Sequence, residues 1–307
     1  MTIDCLRSIA DQIATIPQAQ VIVTDNASGD DSVQKISGAI ETNRWSSWAR
    51  LMPLERNGGF AWGNNAAIRP ALQSDDALEY VLLLNPDTIV RPGAMQALLD
   101  FMDASPRVGI AGSRLEHPDG RPQISAFHFH SVLSELESGF RLGIVSRLLR
   151  KKVVAQPVPD RACPADWVAG ASMMIRKELF DAIGLLDEKY FMYFEEVDFC
   201  LRAARAGWSC WYVPASRVVH LVGQSSGVTD AKQANKRRPG YWFESRRRFF
   251  VKNYGRLRAF MADLSWAAGF ATYRARRVIQ RKADVDPQYL LRDFIRYNFL
   301  GACRSSE

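Results

Sequence analysis

Cysteine is sparse and unpaired in this chain of 307 residues: Cys5, Cys163, Cys200, Cys210 and Cys303 lie far apart, with no Cys-x-x-Cys pair. That spacing speaks against a zinc site or a disulfide framework and fits reduced thiols in the cytosol. Long apolar runs are missing as well. No segment approaches the roughly 18 apolar residues of a spanning helix, and the longest candidate, Ala259 to Tyr273, is interrupted by Asp263. The amino terminus carries Asp4, Arg7 and Asp11 where a secretory signal would place an apolar core. No internal repeat, low-complexity run or nucleic-acid motif is present. A nucleotidyltransferase would need a glycine-rich phosphate loop with a basic residue near its first strand, and none is visible. What remains is an ordinary globular composition, 47% hydrophobic and 24% charged, enough for one large or two modest domains.

Charge is placed unevenly. Residues 231–307 hold 18 Lys and Arg against 6 Asp and Glu, a surplus of +12, while the first 230 residues are net −5. Within that basic region Tyr241, Trp242, Phe243, Phe249 and Phe250 interleave with Arg246, Arg247, Arg248 and Lys252. The pattern is expected of an interfacial segment on an anionic membrane surface; the other reading packs the aromatics inward and leaves the cations solvated.

Periodicity predicts alternating strands and helices. Leu6, Ile9, Ala10 and Ile13 recur at helical spacing before the strand Val21 to Val23. A strand at Leu51 to Leu54, another at Tyr80 to Leu84, a helix from Pro92 to Asp103 and a strand at Val108 to Gly112 follow. Then come a changed rhythm over residues 113–165, a helix at Lys177 to Ile183 and a last strand at Trp211 to Val213. The alternation implies an α/β fold with a mostly parallel sheet covered on both faces. The expected boundaries are 1–227 for this domain and 228–307 for a basic, helical C-terminal region.

Five segments carry chemistry. Phe191-Met192-Tyr193-Phe194-Glu195-Glu196-Val197-Asp198 packs three acids into four positions beside aromatic rings. Crowding and desolvation both raise carboxyl pKa values, so one of them is a candidate general base. The structural alternative places all three in the first turn of a helix running to about Ala206, with Asp198 pairing to Arg202. The strand Val21 to Val23 ends in Asp25, Asn26 and Ser28. Asn57-Gly58-Gly59 and Asn64-Asn65 form a glycine-rich approach to a helix expected at Ala66 to Leu72. Asn85-Pro86-Asp87 ends the next strand, and Trp167 to Ala171 precedes the acidic helix.

Together, and with His220 in its His-x-x-Gly-x-Ser context, these segments resemble an inverting family 2 glycosyltransferase of GT-A fold, in particular the branch of bacterial rhamnosyltransferases of cell-surface polysaccharide assembly. The resemblance runs from about Ile3 to His220. It implies that Asp87, last acid of an Asp-x-Asp-like motif, and His220 hold a divalent cation, Mn2+ or Mg2+, on the donor's diphosphate. It implies that Asp25, Asn26, Ser28, Asn57, Gly58, Gly59, Asn65 and Asn85 line the nucleotide-diphosphate sugar donor, and that Trp167 and Gly170 face the acceptor. Trp167 is equally readable as a core residue. Glu196 falls at the base position, where the family has Asp; Glu195 is the backup base, and Asp198, in the same catalytic set, is structural or acceptor-binding. The implied reaction moves a hexose or deoxyhexose such as rhamnose onto a polysaccharide or lipid-linked sugar at the inner face of the plasma membrane.

One departure stands out. The family begins with a buried strand lying between the counterparts of Val21 to Val23 and Tyr80 to Leu84, whereas this chain opens on the helix that follows it. A start assigned too far downstream is the expected reason; the rival is a non-catalytic relative that binds a sugar nucleotide or an assembly partner.

Overall fold

The computed structural model describes residues 1–16, 18–74, 78–221 and 236–300. In chain order the elements begin α1 (Thr2–Ile13), β1 (Val21–Asp25), α2 (Ser32–Thr42), β2 (Ala49–Pro53), α3 (Gly59–Leu72), β3 (Tyr80–Leu84), β4 (Thr88–Val90), α4 (Ala94–Asp103), β5 (Val108–Glu116) and β6 (Ala126–Phe127). They continue with α5 (Val132–Phe140), α6 (Gly143–Leu148), β7 (Cys163–Ala165), β8 (Trp167–Val168), β9 (Ser172–Arg176) and α7 (Lys177–Ile183). The last are α8 (Glu195–Arg205), β10 (Ser209–His220), α9 (Gly240–Ile279) and α10 (Leu290–Asn298). Two compact units divide the chain. The first gathers Met1–Phe127, Gln156–Phe191 and Glu195–Ser225; the second gathers His128–Ala155, Met192–Phe194 and Ser226–Glu307. The boundary expected near Gly227 lies outside the described residues.

The first unit is α/β, and its sheet is mixed, which corrects the expectation of mostly parallel pairing. The main sheet runs β3-β9-β5-β10-β4, with β7 also on β10. Only β5–β10 in it is parallel; β3–β9, β5–β9, β4–β10 and β7–β10 are antiparallel. The reversal comes from β9, which inserts between β3 and β5. Its five residues, Ser172-Met173-Met174-Ile175-Arg176, run into α7 without a turn residue, so neither length nor punctuation marked them as a strand. β1 and β2 pair in parallel as a separate sheet, and no described strand joins β1 to β3. The helical spacing in α1 has its consequence here: Leu6, Ile9 and Ile13 are buried in a cluster with Ile36, Ile40, Val90 and Leu115, against which Val21, Val23 and Leu84 pack.

The second unit is helical. α9 is broken at Gly255, whose φ of 83° and ψ of 165° leave the helical region. Phe243, Trp266, Phe270, Leu290 and Phe294 form its core. Arg246 is 1% exposed, and it can be buried because its guanidinium lies between Glu135 (2.7 Å) and Asp263. The expected interfacial segment is thereby corrected: Phe243, Phe249 and Phe250 are at most 1% exposed and belong to the interior, not to a membrane-facing surface. Among the described residues no helix is long and apolar enough to cross a membrane.

Candidate active site

The donor-side loops meet at the carboxyl end of β1. Asp25 is buried, and its Oδ1 accepts from the Ser28 amide at 2.9 Å, closing the turn after the strand. Asn26 joins this turn to the glycine-rich segment, donating to the Gly59 carbonyl (2.9 Å) and accepting from the Gly58 amide (3.3 Å). Asn57 accepts from the Gly59 amide at 3.0 Å. Gly59 has φ of 88°, and a Cβ there would stand 1.9 Å from the Phe191 carbonyl oxygen, so no other residue fits. α3 starts at Gly59, seven residues before the expected start, because Gly58 serves as its N-cap.

Asn65 is therefore inside the helix and is not a cap. It is 1% exposed, donates to the Leu186 carbonyl and to Glu188 (both 2.9 Å) and accepts from the Leu186 amide (3.2 Å). With its amide so engaged it fastens α3 to the 186–188 loop, and both of its N–H groups are committed within the protein. Glu188, unmarked in the sequence, also binds Arg69 at 2.9 Å.

Asp87 follows β3 and is 2% exposed. Antiparallel pairing of β4 with β10 sets His220 opposite Thr88, and this register carries the imidazole to Asp87: Nε2 and Oδ1 are 3.6 Å apart. The predicted pair is thus assembled. Oxygen and nitrogen donors each about 2.1 Å from one ion stand some 3 to 4 Å apart, so the two residues fit a divalent cation as partial ligands. Among the described residues no cluster of three or more His, Cys, Asp or Glu surrounds such a site. Gly223 and Ser225 of the His-x-x-Gly-x-Ser segment lie outside the described residues.

The three acids of α8 part company. Asp198 is 0% exposed and receives Arg202 Nε at 3.0 Å on one oxygen and the Tyr190 hydroxyl at 3.3 Å on the other. Arg202 in turn donates to the carbonyls of Ile183 and Leu185, so Asp198 anchors the helix and is not placed to act as a base. Glu195 and Glu196 each keep a buried Oε2 that accepts no hydrogen bond among the described residues. Burial, reinforced by the neighbouring Glu196 charge, pushes Glu195 well above the usual carboxyl range. Burial likewise pushes Glu196 up to about 7, against the opposing pull of backbone amides at the helix start. The two residues before α8, Tyr193 and Phe194, have φ of 71° and 69°, a conformation that costs non-glycine residues about 1–3 kcal/mol each.

Gly170 lies beside Glu196. A Cβ there would sit 3.4 Å from Phe60 Cζ and 3.8 Å from Glu196 Cβ. Next along the chain, the Ala171 carbonyl accepts the Asn85 amide at 3.0 Å. Contacts thus run from Asp25 and Asn26 through Gly59 and Phe60 to Gly170 and Glu196, and through Ala171 to the loop bearing Asp87. Phe60 and Phe191, which make two of these links, had only their position beside the motifs to mark them. Trp167, on β8, stacks one face on Phe127 with centroids 4.0 Å apart, so that face is taken.

Known proteins similar to this chain identify its family and share its fold. The sequence profile of Glycosyl transferase family 2 matches residues 1–182. The N-acetylglucosaminyl-diphospho-decaprenol L-rhamnosyltransferase of Mycobacterium tuberculosis is 31% identical over 225 residues, which is 70% of this chain and 70% of that protein. The rhamnosyltransferase WbbL of Escherichia coli K12 is 32% identical over 176 residues, 53% of this chain and 61% of that one. A mannosyltransferase from Pyrobaculum calidifontis, solved with GDP-Man and Mn2+, shares the fold at a TM-score of 0.55, covering 91% of this chain and 72% of that one at 14% identity. The chain belongs to glycosyl transferase family 2, and it is a glycosyltransferase of the branch that contains the rhamnosyltransferases.

Proposed function

We propose that this enzyme transfers a hexose or deoxyhexose, with rhamnose the leading candidate, from a nucleotide-diphosphate donor to a sugar of a polysaccharide or a lipid-linked glycan, inverting the anomeric centre. Glu196 carries the reading: a half-buried residue whose Oε2 is buried and accepts no hydrogen bond among the described residues, with its pKa pushed up to about 7, beside Gly170. Its Oε2 takes the proton of an acceptor hydroxyl as that oxygen bonds to C1 of the donor sugar. The bond from C1 to the diphosphate breaks on the opposite face, and the nucleoside diphosphate leaves. Asp25, Asn26, Ser28, Asn57, Gly58, Gly59 and Asn85 hold the donor, and Trp167 with Gly170 the acceptor. Asp87 and His220 would hold a divalent cation, which supplies positive charge against the leaving diphosphate. Burial and the Glu196 charge raise Glu195 as well, so the two neighbouring carboxyls resist ionising together. The enzyme works at the inner face of the plasma membrane, as the lipid-linked substrate in the mycobacterial relative's name supports.

The test is Glu196→Gln, assayed by nucleoside diphosphate release with dTDP-rhamnose and related donors. Turnover falls by about 10²–10⁴-fold while donor affinity is kept. In the parent enzyme kcat/KM declines as pH drops below about 7, because protonation disables the base; the sign follows from its raised pKa. Undiminished turnover in the variant would remove Glu196 from the role.

A further inference from the structure

The helix that follows the Gly255 break is apolar on two opposite sides, and among the described residues only one of them is covered. Ala259, Ala262, Trp266 and Phe270 point into the second unit and are at most 7% exposed. On the other side Leu257, Phe260, Met261 and Leu264 are 74%, 52%, 47% and 52% exposed, and the same stripe reaches Val278 and Ile279 at 69% and 80%. At about 100° per residue these six positions fall within an arc of roughly 100°, and the stripe is about 33 Å long. A helix apolar all round is normally enclosed on all sides, and a contiguous exposed patch of this kind marks an interaction surface.

Charge selects the partner. Between residues 256 and 279 the sole acid is Asp263, buried on the opposite side against Arg246. Arg256 and Arg258 flank the start of the stripe on its two sides, and exposed Arg281 and Lys282 follow its end. A second copy laid on this face would set cations on cations, whether the helices ran parallel or antiparallel. An anionic surface with an apolar interior meets both features at once.

We propose that this stripe, with its flanking arginines, is the face by which the protein docks on an anionic phospholipid bilayer, the helix lying in the interface plane. The inference rests on the membrane location proposed above and names the surface responsible, which is distinct from the buried aromatics Phe243, Phe249 and Phe250.

Flotation of the full-length protein with phosphatidylcholine vesicles, with and without phosphatidylglycerol, tests it. The parent protein floats with the anionic vesicles. Combining Leu257→Ser, Phe260→Ser and Leu264→Ser lowers the partition coefficient by at least about tenfold. A second variant, Arg256→Glu with Arg258→Glu, loses the preference for anionic vesicles, and circular dichroism verifies that both variants keep their fold. Binding by the triple variant equal to that of the parent overturns the assignment of this face and leaves membrane association standing. Failure of the parent to float overturns both. A parent that is dimeric by light scattering, with a monomeric triple variant, shows a second copy on the stripe and also overturns the proposal. No sugar donor is present, so none of these outcomes bears on the chemistry assigned to Glu196.

Discussion

Glu195, Glu196 and Asp198 occupy one helical turn yet have different fates, and their neighbours decide them. Arg202, one turn on, and Tyr190 engage both oxygens of Asp198, whereas no cation reaches the free oxygens of the two glutamates among the described residues. Desolvation without compensation is what lifts a carboxyl toward neutrality, so the pair left unpaired is the pair suited to proton transfer. Asp87 presents a buried carboxylate beside the His220 imidazole, a donor set that suits a divalent cation. Asp87→Ala should therefore weaken Mn2+-dependent binding of a nucleotide-diphosphate sugar by tenfold or more on the order-of-magnitude scale of metal-ligand loss, read by calorimetry with and without metal. Equal affinity with and without Mn2+ in the parent protein would dissociate this residue from metal binding.

Among the elements, α5 and α9 depend most on a few charged groups. Burial works to raise Glu135, but the charge of Arg246, His130 and their hydrogen bonds outweigh it and hold the carboxyl at about 2. Asp263 goes the other way, raised by burial in spite of Arg246. One guanidinium thus serves two acids unequally, and removing it would strand both. Arg246→Met should cost about 3–5 kcal/mol in urea unfolding, and adding Glu135→Leu and Asp263→Leu should recover much of that loss. A single variant as stable as the parent would mean the buried charges are solvated by other means. Sequence alone marked Arg246 as one cation in a basic run, since its acids stand 111 and 17 residues away.

At the scale of the whole molecule, charge is segregated along the chain, with +12 in residues 231–307 against −5 before them. Many of those cations are committed to internal pairs, as Arg237 is to Asp293 and Arg277 to Asp286, so the surplus available to a partner is smaller than the count. Binding to anionic vesicles should nonetheless weaken several-fold as ionic strength rises from about 0.05 to 0.5 M, where the screening length shrinks from roughly 14 to roughly 4 Å. Binding indifferent to salt would assign the attachment to apolar contacts alone. Local pattern was sufficient for much of this protein: apolar runs located β3, the spacing of Leu6, Ile9 and Ile13 located α1, and ordered motifs located the end of β1 at Asp25, the loop bearing Asp87 and the start of α8 bearing Glu196. Those features depend on residues close in the chain, which a sequence displays directly. Contacts between distant segments decided the rest: β9 reversed between β3 and β5, Asn65 consumed by the 186–188 loop, Asp198 separated from its neighbouring glutamates, and aromatics at 243–250 turned inward while Leu257 and Phe260 faced out. Which side of a helix is covered depends on what packs against it, and only the folded chain supplies that partner.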